Sequence, residues 1–302
     1  MARAGAAREN PMPDPSFSPR PRRILVTGAN GNLGRKLVAH LAAAPWCSGV
    51  VALDRDARAL DHPKVRPAAV DLTRRSPALD DAFAGVDAAV HLAARRPYPD
   101  AGWDDAAASF DMTLQAVEAL ARGAAAAPRF VFASSNHVMG GYKDEDVAPG
   151  ALTTALPPLP GTRVDAAEPR RAYAAAKLMG ERLLAARAEA GGFTAVSLRI
   201  GWCQPGDNRP GTMTASGIPG EPGPDTPEAA RTLAWFRGMW LSNRDLLAAV
   251  SAAVTADASR WPAPAIVVNA MSANAGMAWD LAAARNLIGY APQDDSTTEP
   301  GR

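Results

Sequence analysis

The fold is decided by one stretch near the start of the chain, Arg22-Arg23-Ile24-Leu25-Val26-Thr27-Gly28-Ala29-Asn30-Gly31-Asn32-Leu33-Gly34. Its first six residues predict a short buried strand, and residues 35–44 directly after it predict a helix. The three glycines between them allow a tight turn, a close approach of a ligand to the backbone, and close packing of the helix. This strand–turn–helix unit predicts a Rossmann-type parallel sheet.

Asp54 ends the second predicted strand, about 20 residues after the last glycine of the turn. The free N–H groups at the start of a helix attract phosphates. An acid at the end of the second strand bonds the 2′-hydroxyl of an adenosine ribose and repels a 2′-phosphate. The sequence therefore predicts a dinucleotide site that favours NAD over NADP. Arg35 and Arg55 leave NADP open, because either guanidinium could bind a 2′-phosphate.

Tyr173 and Lys177 are four residues apart in a predicted helix, and the pair Ser134-Ser135 lies upstream. The spacing places the phenol and the amine on one face of the helix, one turn apart. A phenol is a poor base at its reference pKa of about 10, and a nearby ammonium favours the phenolate. With the hydroxyl of Ser135 holding a substrate oxygen, the three groups suit removal of a proton while a hydride leaves carbon. This pattern indicates oxidation of an alcohol or a hemiacetal.

Strand-like and helix-like segments alternate along the rest of the chain. The strands are predicted at 50–53, 65–70, 88–92, 129–133, 194–200 and 265–270, and the helices at 110–122, 173–190 and 277–288. A further helix is predicted to begin at Ser242, because Ser242 and Asp245 form a pair like a capping box. The alternation predicts an α/β fold, a Rossmann-type doubly wound parallel sheet with a small C-terminal substrate-binding lobe. We expect a disordered tail over 1–20, a dinucleotide-binding domain over 21–202, and a substrate lobe over 203–302 that is interleaved with the core. Two proline-rich stretches, 143–171 and 204–227, are expected to cover the substrate.

Composition excludes several other classes of protein. A chain of 302 residues with 47% hydrophobic residues can bury a large core. The net charge of +1 argues against nucleic acid as the main partner. Cys47 and Cys203 are isolated, so no metal site is predicted, and free thiols suit a reducing cytoplasm. No apolar run approaches the roughly 20 residues that a membrane span needs, so we expect no membrane partner.

Together these motifs resemble the extended branch of the short-chain dehydrogenase/reductase superfamily, the NAD-dependent epimerase/dehydratase family. The resemblance is carried by the glycine turn, by Asp54, by Asp71-Leu72, by Ser135, and by the Tyr173/Lys177 pair. Within that family, the segments 132–137, 199–201 and 239–242 look like those of uronate dehydrogenases and of related enzymes that oxidise aldoses at C1.

The resemblance implies roles for the catalytic residues. Tyr173 would be the general base, and Lys177 would lower its pKa and bond the nicotinamide ribose. Ser135 would hold the reacting hydroxyl. The sugar would also contact Asn136 and His137, and a substrate carboxylate would bind Arg237.

The resemblance also implies a cofactor-binding set and an assembly. The set comprises Gly28, Asn30, Gly31, Asn32, Leu33, Gly34, Asp54, Asp71, Leu72, Leu92, Ala93, Tyr173, Lys177 and Ile200. Among these, Asp71 and Leu72 would flank the adenine, and Ala93 and Ile200 would line the cofactor cleft. A homodimer is expected through the helices at 110–122 and 173–190.

The expected function is NAD-dependent oxidation of a sugar or sugar acid at C1 to a lactone. Asp111 replaces an asparagine common among relatives, and Trp202 replaces a small residue, so uronate itself stays open as the substrate. Two alternatives remain. One is a nucleotide-sugar epimerase or dehydratase that keeps NAD bound, although Asn136-His137 stands where a dehydratase has an extra acid. The other is a non-catalytic NAD-binding regulatory protein, although such proteins tend to lose the tyrosine–lysine pair.

Overall fold

The structure is a computed structural model that describes residues 22–56, 58, 60–95, 102–125, 127–161, 168–218 and 220–298. The tail predicted over residues 1–20 lies outside these residues. Over the described part of the chain, no helix is both long enough and apolar enough to pass through a lipid bilayer.

Seven strands form one sheet in which every neighbouring pair is parallel. They are β1 (Arg22–Thr27), β2 (Cys47–Asp54), β3 (Val65–Ala69), β4 (Ala88–His91), β5 (Arg129–Ser135), β6 (Thr194–Ile200) and β7 (Ala265–Ala270). Their order in the sheet is β3-β2-β1-β4-β5-β6-β7. The chain thus winds outward in two directions from β1, and the predicted Rossmann-type doubly wound sheet is confirmed.

Seven α-helices connect or follow the strands over the described residues. They are α1 (Asn32–Ala43), α2 (Pro77–Phe83), α3 (Trp103–Gly123), α4 (Glu168–Glu189), α5 (Pro227–Gly238), α6 (Asn243–Thr255) and α7 (Ala282–Ile288). A 3₁₀ segment, Asn136–Asp144, follows β5 directly. The helix predicted over 277–288 is wrong in its first five residues. There Trp279 pairs with Leu152 in an isolated parallel bridge, and this tertiary contact overrides the local helical pattern.

Two helices, α2 and α5, were not predicted from the sequence, although both carry the same start signal. Ser76 caps α2 by accepting a hydrogen bond from the N–H of Leu79, and Thr226 caps α5 by accepting one from Ala229. In both cases a proline follows the cap at the first helical position, where its missing N–H costs nothing. This pairing of a capping hydroxyl with a following proline could have located both helices.

The core lies on both faces of the sheet, because successive side chains of a strand point to opposite sides. Ile24 and Val26 of β1 pack with α1, α6 and α7, whereas Leu25 packs with α2, α3 and α4. Since α6, β7 and α7 belong to this core, much of the chain after residue 203 is part of the Rossmann layer. The carboxyl ends of β1, β4, β5 and β6 therefore meet along one edge, where doubly wound folds bind their ligands.

Candidate active site

The turn between β1 and α1 requires glycine for steric reasons. Gly28 has φ +68°, and a Cβ built there would lie 2.9 Å from the backbone nitrogen of Ala93. A Cβ at Gly34 would lie only 2.1 Å from the carbonyl oxygen of Gly28. The N–H of Gly31 donates to that same carbonyl at 3.0 Å and closes the turn. At Gly28 and Gly34 the backbone of the turn therefore lies too close to neighbouring backbone for any residue with a Cβ.

The start of α1 fits the pyrophosphate of a dinucleotide. No side chain caps this helix, and its first turn, which holds Asn32 and Leu33, carries no acidic residue. The first N–H groups of a helix lack intrahelical partners and favour negative charge. The amide of Asn32 reaches the carbonyl oxygen of Gln204 at 3.4 Å, while Leu33 packs against the core.

Asp54 is held facing the glycine turn. One carboxylate oxygen accepts the N–H of Asn30 at 2.9 Å, and the other accepts the N–H of Arg55 at 2.7 Å. The side-chain amide of Asn30 donates to the carbonyl oxygen of Asp56 at 2.9 Å, which ties the turn to the end of β2. A carboxylate oriented in this way can still accept a ribose hydroxyl, because each oxygen has a second lone pair.

A cavity of about 300 Å³ lies beside this carboxylate. Its lining includes Asn30 from the turn, Arg35 from α1, and Arg58 from the segment after β2. Two guanidinium groups therefore accompany the acid at the ribose end of the site. This arrangement fits NAD and keeps open how strongly the protein discriminates against a 2′-phosphate.

Asp71 and Leu72 follow β3, on the outer side of the predicted adenine position. One oxygen of Asp71 accepts from the N–H of Thr73 at 3.0 Å and from its hydroxyl at 2.7 Å. The N–H of Thr73 is the main cause that lowers the pKa of Asp71, and its hydroxyl and Arg74 add to the effect. Leu72 is buried in the core. The carboxylate is thus fixed by its own turn.

A buried hydrogen-bond chain fixes the loop after β4. The hydroxyl of Thr113 donates to the carbonyl oxygen of Ser109 at 3.0 Å, so its oxygen accepts from Nε2 of His91 at 3.2 Å. Nδ1 of His91 then accepts from Thr27 at 2.8 Å, and the oxygen of Thr27 accepts the N–H of Ala93 at 3.2 Å. Burial lowers the pKa of His91 to about 3, so this imidazole is neutral at neutral pH. Sequence reasoning missed this chain, which positions Ala93 against the glycine turn.

The structure brings the predicted catalytic side chains together at the carboxyl end of β5. Ser135 is buried, and its Oγ lies 3.1 Å from Nδ1 of His137. The ring of His137 meets the ring of Tyr173 edge-on at 5.6 Å between centroids. Nζ of Lys177 lies 5.6 Å from the centroid of the Tyr173 ring. A hydroxyl, an imidazole, a phenol and an amine therefore converge at the carboxyl end of β5, two strands from the end of β1.

Lys177 is buried, and its amine contacts two residues of β5. Its Nζ donates to the carbonyl oxygen of Ala133 at 2.7 Å and lies 4.8 Å above the ring of Phe132. Burial lowers the pKa of Lys177 to about 7. The amine can thus carry or release its proton near neutral pH, next to the phenol.

A buried ion pair supports this cluster and was not predicted. Glu181 lies one turn after Lys177 in α4 and accepts from Arg199 of β6 at 2.9 and 2.8 Å. It also accepts from the hydroxyl of Ser134 at 2.5 Å, one residue before Ser135. Both charged side chains are only 4% exposed. The pair therefore connects the helix of Tyr173 with the two strands that end at the site.

The remaining predicted site residues lie in different places: Asn136 and Leu92 follow the ends of β5 and β4, whereas Arg237 lies away from the catalytic side chains. The amide of Asn136 donates to the carbonyl oxygen of Ile200 at 3.1 Å and joins the 3₁₀ segment to β6. Leu92 bonds the carbonyl oxygen of Thr27 through its N–H at 3.3 Å. Arg237 is exposed on α5 and lines a cavity of about 380 Å³ whose lining contains none of the catalytic side chains. Its binding of a substrate carboxylate stays a prediction.

Comparison with known proteins agrees with this geometry. The chain is 33% identical over 281 residues to an L-arabinose 1-dehydrogenase (NAD(P)(+)) of Haloferax volcanii, covering 91% of this chain and 98% of that protein. It is 29% identical over 287 residues to an NAD-dependent glucose-6-phosphate dehydrogenase of the same organism, covering 90% and 94%. The crystal structure of uronate dehydrogenase from Agrobacterium tumefaciens shares the fold with a TM-score of 0.65 at 24% identity, covering 91% of this chain and 86% of that one.

The family itself follows from two of the comparisons. Residues 24–203 match the NAD dependent epimerase/dehydratase family, and this range spans the glycine turn, the serine of β5 and the tyrosine–lysine pair. The arabinose dehydrogenase resembles the chain over nearly its whole length. The resemblance inferred from the sequence is confirmed: the chain belongs to the NAD-dependent epimerase/dehydratase family, and its cofactor is NAD.

Proposed function

We propose that this protein is an NAD-dependent dehydrogenase that oxidises the C1 hydroxyl of a sugar or sugar acid to a lactone. The observation that carries the proposal is the convergence of Ser135, His137, Tyr173 and Lys177 at the carboxyl end of β5. This end lies two strands from the end of β1, where the glycine turn begins. One relative that matches over nearly its full length is named a 1-dehydrogenase of an aldose, which supports oxidation at C1.

Tyr173 acts as the base in this mechanism. The Lys177 ammonium, 5.6 Å from the phenol ring, stabilises the phenolate and lowers the pKa of the phenol. Ser135 donates a hydrogen bond to the reacting oxygen and orients it toward Tyr173, and His137 fixes the serine through Nδ1. The phenolate takes the proton of the C1 hydroxyl, the C1–H bond breaks, and the C1–O bond becomes the carbonyl of the lactone.

The cofactor residues would hold NAD at the same edge of the sheet. The first N–H groups of α1 would bind the pyrophosphate, Asp54 would accept the ribose hydroxyl, and Ala93 and Ile200 would line the cleft. NAD, when bound, accepts the hydride that leaves C1. Lys177 would bond the nicotinamide ribose as well as stabilise the phenolate.

The test is NADH formation, measured by absorbance, with NAD and a panel of free aldoses, uronic acids and sugar phosphates. We expect Tyr173→Phe to lower kcat by about 10²- to 10⁴-fold, the usual contribution of a general base. Tyr290→Phe is the matched control. It also removes one phenol hydroxyl, but from a group that bonds the carbonyl oxygen of Met271 in the core, and it should keep its activity.

A wild-type protein that binds NAD yet oxidises nothing in the panel would contradict the proposal. NAD that copurifies and never exchanges would then favour a nucleotide-sugar epimerase. Exchangeable NAD without turnover would favour a regulatory role.

We also expect a homodimer in the cytoplasm. α3 and α4 pack side by side, and each exposes a large apolar side chain, Trp103 and Met179 respectively. A paired second copy of these helices would cover both. The mass in solution, from light scattering, checks the dimer.

A further inference from the structure

A second cavity carries positive charge that the proposed reaction does not use. This basic cavity, of about 380 Å³, lies between the end of the 3₁₀ segment, α5 and residues 275–279. The side chains that matter in its lining are Lys143, Glu145, Arg231, Trp235, Arg237 and Trp279.

Two guanidinium groups in the basic cavity lack a partner within the described part of the chain. Arg231 and Arg237 are exposed and form no hydrogen bond or ion pair with any residue that the structure describes. Lys143, by contrast, is buried and satisfied, since its Nζ bonds Asp144 at 3.4 Å and the hydroxyl of Thr232 at 3.1 Å. Glu145 is the carboxylate in the lining. The two arginines therefore leave a surplus of positive charge.

Trp279 adds a donor that also lacks a partner. Its side chain is only 2% exposed, and its Nε1 finds no acceptor among the described residues. The indole nitrogens of Trp240 and Trp261 instead donate to the carbonyl oxygens of Asn208 and Leu287. Buried N–H groups in folded proteins nearly always have an acceptor. An acceptor supplied by a ligand would satisfy Trp279.

The basic cavity is separate from the catalytic centre. Ser135, Tyr173 and Lys177 are absent from its lining. On α5, Arg231, Trp235 and Gly238 follow the four-and-three spacing of one helix face. Phe236 lies on another face and packs against Trp202, next to the end of β6, at 4.9 Å between ring centroids.

We propose that the basic cavity binds a phosphate group, outside the catalytic centre. Guanidinium groups pair with phosphate through parallel N–H bonds, and an indole N–H supplies a third kind of donor. The volume lies in the range of small-molecule sites, and Trp235 and Trp279 pack at a tilt of 52° with their ring centroids 5.4 Å apart at its apolar wall. The site therefore has room for a ring or chain attached to the phosphate.

The test is calorimetric titration of the NAD-free, full-length protein with inorganic phosphate, with glycerol 3-phosphate and with glycerol, because neither organic probe is an aldose. We expect saturable binding of both phosphates and none of glycerol. Arg231→Gln should weaken the binding by at least about tenfold and Trp279→Phe by a smaller factor. Arg66→Gln is the matched control, because Arg66 is an exposed arginine on β3, at the opposite edge of the sheet. It should leave the binding unchanged.

The outcomes separate this proposal from the proposed reaction. Tighter binding of glycerol 3-phosphate would identify a phosphorylated metabolite, and equal binding would identify free phosphate; either supports the site. An absence of saturation, or an equal affinity in Arg231→Gln, would overturn it. A tenfold loss of kcat/KM for a neutral aldose in Arg231→Gln would also overturn it, because the arginine would then belong to the substrate site. Phosphate binding needs no turnover, so an inactive protein could still bind.

Discussion

The two halves of the active site are built in opposite ways. The cofactor half is a turn of seven residues, Gly28–Gly34, and it depends on side chains that are absent: a single Cβ would collide with backbone. The catalytic half joins β5, the 3₁₀ segment and α4, and it depends on side chains that are present and buried: Glu181 and Arg199 hold the elements together. Adding one carbon should therefore break the first half, and removing one charge should break the second.

The largest effect on stability should come from Glu181→Gln. This change keeps the size of the side chain but leaves the guanidinium of Arg199 buried without a counter-charge. Breaking a buried pair in this way costs about 3–5 kcal/mol of the free energy of unfolding. Denaturation by urea measures this value.

Glu118→Gln is the control for that experiment. Glu118 also pairs with an arginine, Arg187 at 2.7 Å, but both side chains are about one-third exposed. Solvent screens such a pair, so its loss should cost less than about 1 kcal/mol. Equal losses in the two variants would mean that the buried pair does not hold the catalytic half together.

Gly34→Ala tests the cofactor half. The added Cβ would lie 2.1 Å from the carbonyl oxygen of Gly28, so the turn must open and the N–H groups of α1 must move away from the pyrophosphate. We expect NAD binding to weaken by about a hundredfold, close to 3 kcal/mol. Gly49→Ala, where the nearest atom would be at an ordinary 3.7 Å, should bind NAD like the wild type. Calorimetric titration with NAD measures the affinities. Equal affinities of Gly34→Ala and the wild type would contradict the prediction.

The difference between the two halves also explains how far sequence reasoning reached. The cofactor turn is local, so the spacing of its glycines and Asp54 predicted the structure almost residue by residue. Tyr173 and Lys177 were predictable because one helix carries both. β6 and β7 were predicted with their observed bounds because each is an apolar run between clear breaks.

The tertiary contacts that stabilise the catalytic half could not be predicted from the sequence. Nothing in the sequence states that Arg199 meets Glu181, because the contact depends on how α4 lies across β5 and β6. Nothing in the sequence pairs His91 with Thr27 either, because only the register of β1 against β4 brings the two residues opposite each other. The helix expected at residue 277 failed for a similar reason, since the partner of Trp279 lies more than a hundred residues away.

Lys177 should make stability depend on pH. Burial lowers its pKa to about 7 in the folded protein, whereas an unfolded lysine titrates near 10.4. Between these values the unfolded chain binds more protons, so the free energy of unfolding rises with pH by up to about 1.4 kcal/mol per unit. Lys177→Met removes this slope. Its stability relative to the wild type should therefore be most favourable near pH 7 and decline toward pH 10.

Urea unfolding of the NAD-free protein at pH 7, 8 and 9 measures that slope. The lost hydrogen bond to Ala133 shifts the Lys177→Met curve by a constant and does not change its dependence on pH. Parallel curves for the variant and the wild type would show that the buried amine does not titrate in this range.

The smallest effect is expected for Asp54→Asn, which sharpens the choice between cofactors. The amide keeps the shape of the carboxylate but removes the charge that repels a 2′-phosphate, while Arg35 and Arg58 stay beside the site. The preference for NAD over NADP, measured as the ratio of kcat/KM values, should fall about tenfold, or 1.4 kcal/mol. Asp87→Asn is the control. Asp87 also accepts a backbone N–H, that of Arg23 at 2.7 Å, but it lies at the amino end of β4, away from the carboxyl ends of the strands. If the ratio stays constant in Asp54→Asn, the arginines and not the acid set the cofactor preference. The cofactor half would then depend on its side chains as well as on its glycines, and the contrast with the catalytic half would be weaker.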